Sequence, residues 1–127
     1  MTLNTHLQIN TALCGDVIEL KEGYAQVLLK TTVEMAADDK GLIHGGFIFG
    51  AADFAAMTAV NEPNVVLAGS SCKFLAPSKI GDSITLEAII VKSEGFKHLV
   101  EVTGTSNGQT VFSGEFKTAV TKVHVLD

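Results

Sequence analysis

The chain has 127 residues, with 14 acidic against 9 basic side chains and a formal net charge of −5. That length suits one domain with one core, and an acidic balance without a Lys/Arg cluster argues against nucleic acid or an anionic membrane as partner. Cys14 and Cys72 are too few and too far apart for a disulfide framework or a Cys/His metal set, and read as reduced, buried thiols.

Met1 to Ala12 lacks the basic start and unbroken apolar run of a secretion signal, so the expected location is the cytoplasm. Asp16 to Leu20 reads as a short strand. Lys21-Glu22-Gly23 then turns into a second strand over Tyr24 to Met35, where Ala25, Val27, Leu29 and Val33 partly alternate with polar positions. After a polar loop, Ala36 to Ile43, comes an apolar helix from Gly45 to Val60, which Pro63 forbids from continuing. It is shorter than the ~20 residues that span a bilayer and contains Asp53, so it is a core helix.

Val65 to Leu75 is strand-like, and Ala76 to Asp82 is a turn. Ser83 to Ser93 alternates Ile84, Leu86, Ala88 and Ile90 with polar positions until Gly95 breaks the pattern. Lys97 to Ser106 and Gln109 to Val123 flank Asn107-Gly108, a two-residue hairpin turn. The expected fold is therefore α+β: a hairpin, one buried helix and a four-strand meander, forming a curved antiparallel sheet around a central helix. One domain covers 1–127, with its core at about 15–123. A helix apolar on every face needs cover on every side, and a second copy is the natural source of what one sheet leaves bare.

Asp53 is the only charged side chain between Gly45 and Val60, and a buried carboxylate is costly unless paired or used. Gly46, Gly50 and Asp53 fall at i, i+4 and i+7, on one stripe of the helix. Two helical glycines cost about 1 kcal/mol each, a penalty explained by something pressed against the backbone: a ligand, or a partner helix at a dimer seam. The Gly45 and Gly46 amides at the positive end of the helix suit a developing oxyanion. Gly45 and Asp53 are about 12 Å apart along the axis at 1.5 Å per residue, whereas one reacting carbonyl must lie ~3 Å from both. Donor and acid would then come from different subunits of an obligate dimer. Alternatively, Asp53 is a buried acid paired with a lysine or hydroxyl. His44, beside the helix start, reads as positioning the Gly45 amide or holding a water, and His6, His44, His98 and His124 show no metal spacing.

His44-Gly45-Gly46 followed by Ala52-Asp53, with Phe74-Leu75-Ala76-Pro77-Ser78-Lys79-Ile80-Gly81-Asp82 beyond, resembles the hot-dog-fold acyl-CoA thioesterases of the PaaI-like and 4-hydroxybenzoyl-CoA thioesterase group. The resemblance runs from about Gly15 to Val123. It implies hydrolysis of an acyl-CoA without metal or redox cofactor, the CoA belonging to the substrate, in a homodimer or a tetramer built from dimers. Asp53 would be the catalytic carboxylate, the Gly45 amide the carbonyl polariser and His44 the support of that loop. The acyl group would lie along the stripe near Gly46, Phe47, Phe49, Gly50 and Met57, and the CoA phosphates would reach Lys79, Lys97 or His98. Two positions depart from the group: Asp38 stands where many members carry an amide side chain, and Val65-Val66-Leu67 where some carry Ser or Thr. The competing expectations are a non-catalytic acyl-CoA sensor, a hot-dog dehydratase, which would carry its histidine in a Pro-rich loop, and a purely structural dimer module.

Overall fold

The computed structural model describes all 127 residues. In chain order it comprises α1 (Thr11–Cys14), β1 (Asp16–Lys21), β2 (Tyr24–Lys30), a 3-10 turn (Val33–Met35), α2 (Gly45–Val60), β3 (Val65–Phe74), β4 (Ser83–Glu94), β5 (Lys97–Ser106) and β6 (Gln109–Val120). The six strands form one antiparallel sheet in the order β1-β2-β4-β5-β6-β3.

The sheet is wrapped round α2 because its strands alternate. Ala25, Val27 and Leu29 of β2 face Ala88, Leu86 and Ile84 of β4 in register, all six fully buried, and Val100 of β5 lies opposite Phe116 of β6. These side chains meet Ala51, Ala52, Ala55, Ala56 and Ala59 of α2, whose small size lets the sheet come close, while Phe54 fills the larger gaps. The helix ends as Pro63 requires. Asn61 takes the left-handed conformation at φ 56° and its amide closes on the Met57 carbonyl at 2.8 Å. Asn107 and Gly108 both have positive φ, the geometry of a two-residue hairpin turn.

The expected hot-dog architecture is present, with three differences. Only β4, β5 and β6 form a meander, because β3 crosses to the far side and pairs with β6, from Val65↔Val120 to Phe74↔Phe112. The second strand stops at Lys30, where Thr31 turns away: its amide and hydroxyl both bond the Asp82 carbonyl, and the chain curls through Val33–Met35. The last strand stops at Val120, because Thr121 leaves the ladder to bond the Asn64 carbonyl. A fourth finding concerns cover for the helix. Part of it comes from the first fourteen residues, which lie along α2 with Ile9, Leu13 and Cys14 packed on the core. No helix is long and apolar enough to cross a membrane.

Candidate active site

Asp53 sits at mid-length on α2, half-buried, with Oδ1 out of solvent and without a hydrogen-bond partner. The ion pairs of the chain, Lys21–Glu19 and Lys92–Glu94, are elsewhere. The alternative of an acid paired with a lysine or hydroxyl therefore has no counterpart in the structure. Burial pushes the Asp53 carboxyl up to about 6, since an apolar surround penalises its charged form. A group titrating there is ionised at neutral pH yet more basic than an ordinary carboxylate, the balance that suits a general base.

The other end of α2 is held by main-chain bonds. The Ile43 amide donates to Ser78 O and the His44 amide to Met35 O, both at 2.9 Å, and Asp38 Oδ1 accepts the Lys40 and Leu42 amides at 3.0 and 3.1 Å. Asp38 is thus engaged in shaping its own loop. The Gly45 and Gly46 amides have no acceptor within the chain. Gly45 lines a cleft of about 310 Å³ whose walls are largely apolar, including Ile48, Phe74, Leu75 and Pro77, with Ser78 at its edge. The Phe74 ring lies where a Gly45 side chain would begin, 3.1 Å from an ideal Cβ, so the close approach at this glycine comes from an aromatic wall. Asp53 does not line that cleft, in agreement with the 1.5 Å rise that separates it from Gly45 along the helix.

The remaining expected residues divide into those the fold gathers and those it does not. Gly46, Phe47, Phe49 and Gly50 lie on the accessible side of α2 with Asp53, and nothing in the chain stands within 4 Å of a side chain added at Gly50. The pressure inferred at Gly50 is therefore not supplied by its own protomer. His44 is exposed, makes no hydrogen bond to the helix start, sets its ring edge-on to Phe47 at 6.0 Å and crowds the position of a Gly46 Cβ. Its expected contact with the Gly45 amide is absent: the imidazole folds over Gly46 without bonding an amide of the helix start. Met57 is 1 % exposed and belongs to the closed core.

Lys79 stands near the cleft, in a neighbouring depression with Lys40, Asp38 and Asp82. Lys97 and His98 do not join it. Lys97 pairs with Ala119, beside the Val65↔Val120 end of the sheet, whereas Phe74, over Gly45, is at the opposite end. Two participants had escaped the sequence reading. Ser78 has a buried hydroxyl without a partner, and Cys14, only half-buried, has its thiol pushed up by burial and by the Asp53 charge. The Pro77-Ser78 turn was visible as a motif, but Cys14 has no local pattern that points to Asp53.

Residues 40–113 match the model of the thioesterase superfamily, more than half of the chain. An uncharacterized Pyrococcus horikoshii protein, PH1136, has the same structure at TM-score 0.98 and 46 % identity, covering 100 % of this chain and 98 % of that one. The E. coli PaaI protein from the phenylacetic acid degradation operon follows at TM-score 0.82 and 26 % identity, over 90 % of this chain and 84 % of that one. A methylthioribose-1-phosphate isomerase of Aquifex aeolicus is 54 % identical over 93 % of this chain, and the Staphylococcus aureus transcription factor FapR 28 % identical over 81 %. The chain spans only 26 % and 56 % of the lengths of these last two relatives.

Proposed function

The chain belongs to the thioesterase superfamily, and from that premise we propose that it hydrolyses an acyl- or aryl-CoA thioester to the free acid and CoA. One observation carries the reading: a lone carboxylate, unpaired at Oδ1 and raised to about 6, faces the accessible glycine stripe of an otherwise apolar helix. Buried carboxylates without a partner are retained where chemistry uses them.

In this proposal Asp53 takes a proton from water as the water oxygen bonds to the thioester carbon. The C–S bond then breaks, and the CoA sulfur leaves with the electron pair and recovers the proton. Alternatively, an Asp53 oxygen attacks the carbon itself and displaces the CoA thiolate, giving a mixed anhydride that water opens to the free acid and the regenerated carboxylate, the proton released going to the thiolate. Either route builds charge on the carbonyl oxygen, which the Gly45 amide at a helix N-terminus would stabilise. Because Gly45 and Asp53 of one helix are too far apart for one carbonyl, the amide is assigned to a second copy and the enzyme is read as a homodimer, or a pair of dimers. The bare outer edge of β3 and the open space at Gly50 support that assembly. The reaction as written needs no metal or redox cofactor, and the reading places it in the cytoplasm. Phe47, Phe49 and the apolar cleft beside Gly45 would hold the acyl group, and Lys79 is the cation best placed for the CoA phosphates.

A second reading is favoured by the similarity to FapR, a transcription factor, and by Asp38 being occupied within its loop: a domain that binds acyl-CoA without cleaving it. The two separate in one experiment. CoA release from short, long and aromatic thioesters is measured for the wild type and Asp53→Asn, with binding followed by calorimetry. Asp53→Asn should lower kcat by about 10²- to 10⁴-fold with little change in affinity, the signature of a proton-transfer group. Equal turnover by the two proteins removes Asp53 from the chemistry, and tight binding without cleavage across the panel selects the sensor.

A further inference from the structure

The outer face of the sheet, turned away from α2, gathers positive charge at one end. Val100 and Val102 of β5 and Phe116 of β6 are buried toward the helix, so Lys97, Leu99 and Lys117, on the alternate positions, point the other way. Register brings three cations together there. Leu99 stands opposite Lys117 on one side and opposite Lys92 of β4 on the other. Lys97, two residues along, is therefore the diagonal neighbour of both, at about 7 to 8 Å. The three lysines line a pocket of about 280 Å³ together with the apolar side chains of Ala68, Leu99 and Ala119. His98 also lines it, with Nδ1 2.7 Å from the Ser93 hydroxyl. A bulge in β3 makes room beside them: Ala68 falls between Leu67↔Thr118 and Gly69↔Lys117 without a partner, and nothing stands within 4 Å of a side chain added at Gly69.

We propose that this pocket binds the phosphate groups of a small ligand. Three of the nine basic side chains of an acidic protein converge on it, although like charges set side by side repel, so their gathering calls for an anion. The chain supplies too little of its own. Glu94 lines the pocket and pairs with Lys92 at 3.5 Å, whereas Lys97 and Lys117 have no ion pair; Glu101 and Glu115 face one another in the next row and reach neither. Lys97 lies instead over the Phe96 ring, 5.8 Å from its centroid. A lysine ammonium is a compact charge with three donors, suited to phosphate oxygens. Size and charge set the class of ligand. The volume is near the lower limit of the ~300 to 1,000 Å³ of small-molecule sites, and the Glu101–Glu115 row and the net charge of −5 oppose a long polyanion. The Gly45 cleft and Lys79 lie beyond the opposite end of β3, and the proposal does not depend on what Asp53 does. Two sources share this chemistry: a free phosphate compound, and the phosphates of a CoA ester seated in the cleft of a second copy joined along the bare edge of β3.

The test is calorimetry with inorganic pyrophosphate as the probe, at about 50 mM salt to keep screening small. The full-length wild type is compared with Lys97→Gln/Lys117→Gln and with Lys21→Gln/Lys30→Gln, which removes the same charge from β1 and β2. All four lysines are exposed, so both variants should fold, as circular dichroism will check. Pyrophosphate should bind the wild type and the β1/β2 variant within about twofold of each other, and the Lys97→Gln/Lys117→Gln protein at least about tenfold more weakly. Titrations with CoA, and with pantetheine, which lacks the phosphates, then separate the sources. CoA weakened in step with pyrophosphate, pantetheine being unchanged, assigns the pocket to the CoA phosphates; CoA untouched while pyrophosphate is weakened assigns it to a free phosphate compound. Either result supports the site. No pyrophosphate binding by the wild type, or equal affinities in the two variants, overturns the proposal, and a smaller mass of the Lys97→Gln/Lys117→Gln protein in light scattering would then assign the face to a second copy.

Discussion

The carboxylate that the proposed reaction needs is one that the fold would be more stable without. Asp53 lies at about 6 in the folded chain against an ordinary 3.8, so the folded protein holds this proton more tightly than the unfolded one. Its contribution to stability is therefore fully present below the ordinary carboxylate range, and is lost as pH rises through about 6. At about 1.36 kcal/mol per pH unit the interval corresponds to about 3 kcal/mol, which reduces to about 2 because Asp53 keeps part of its surface in solvent. Asp53→Asn, which cannot ionise, should escape that loss. Urea unfolding at fixed protein concentration should find the two proteins diverging between pH 4 and 8, with the variant ahead by about 2 kcal/mol at the upper end and about 5 to 10 °C higher in Tm. Fixing the concentration keeps the association proposed above from entering the comparison, since binding of a second copy would raise apparent stability. Parallel pH profiles, or a variant less stable at pH 8, would mean that the ionised carboxylate has a favourable partner, and the case for a strained catalytic acid would fail.

Two further substitutions probe the glycines. A Cβ added at Gly50 meets nothing within 4 Å in its own protomer, so Gly50→Leu should fold; if the stripe faces a second copy, light scattering should show a shift toward the 13.4 kDa protomer together with loss of CoA release, and an active, fully associated variant would refute the shared site. Gly15→Ala combines a positive φ with overlap against Val27 and Leu28, and should cost about 2 kcal/mol more than Gly23→Ala, where φ is also positive but the nearest atom is 3.9 Å away. Equal urea midpoints for the two alanine variants would contradict the tight passage at Gly15.

Where local rules decide the structure, the sequence was explicit. The limits of α2 follow from His44-Gly45 at one end and Pro63 beyond the other, and those of β5 from Gly95 and Asn107-Gly108, because these residues restrict φ and ψ on their own. Strand neighbours were less legible. Val65 to Leu75 is strand-like in composition, but nothing local shows that β6, rather than β4, is the partner of β3; that choice is made by the path the chain takes over α2. At the candidate site, the stripe of Gly46, Gly50 and Asp53 is helical geometry and was readable. Met57 continues the same stripe but lies in the closed core, and helical spacing alone does not show which part of a stripe the rest of the chain covers. Cys14 was hidden for the same reason: in a stretch without periodicity, nothing local shows which side chain it will touch.

The outer flank of β3 also bears on how the protein behaves in solution. Ten residues, Val-Val-Leu-Ala-Gly-Ser-Ser-Cys-Lys-Phe, are bonded to β6 on one side only, and Lys73 is the only charge among them to discourage the wrong neighbour. Whatever pairs there first is favoured, whether a sister chain or an unfolded stranger. If the site is shared between two copies as proposed, output per molecule should fall steeply on dilution, and a nascent chain released far from its sister runs the greatest risk of aggregation.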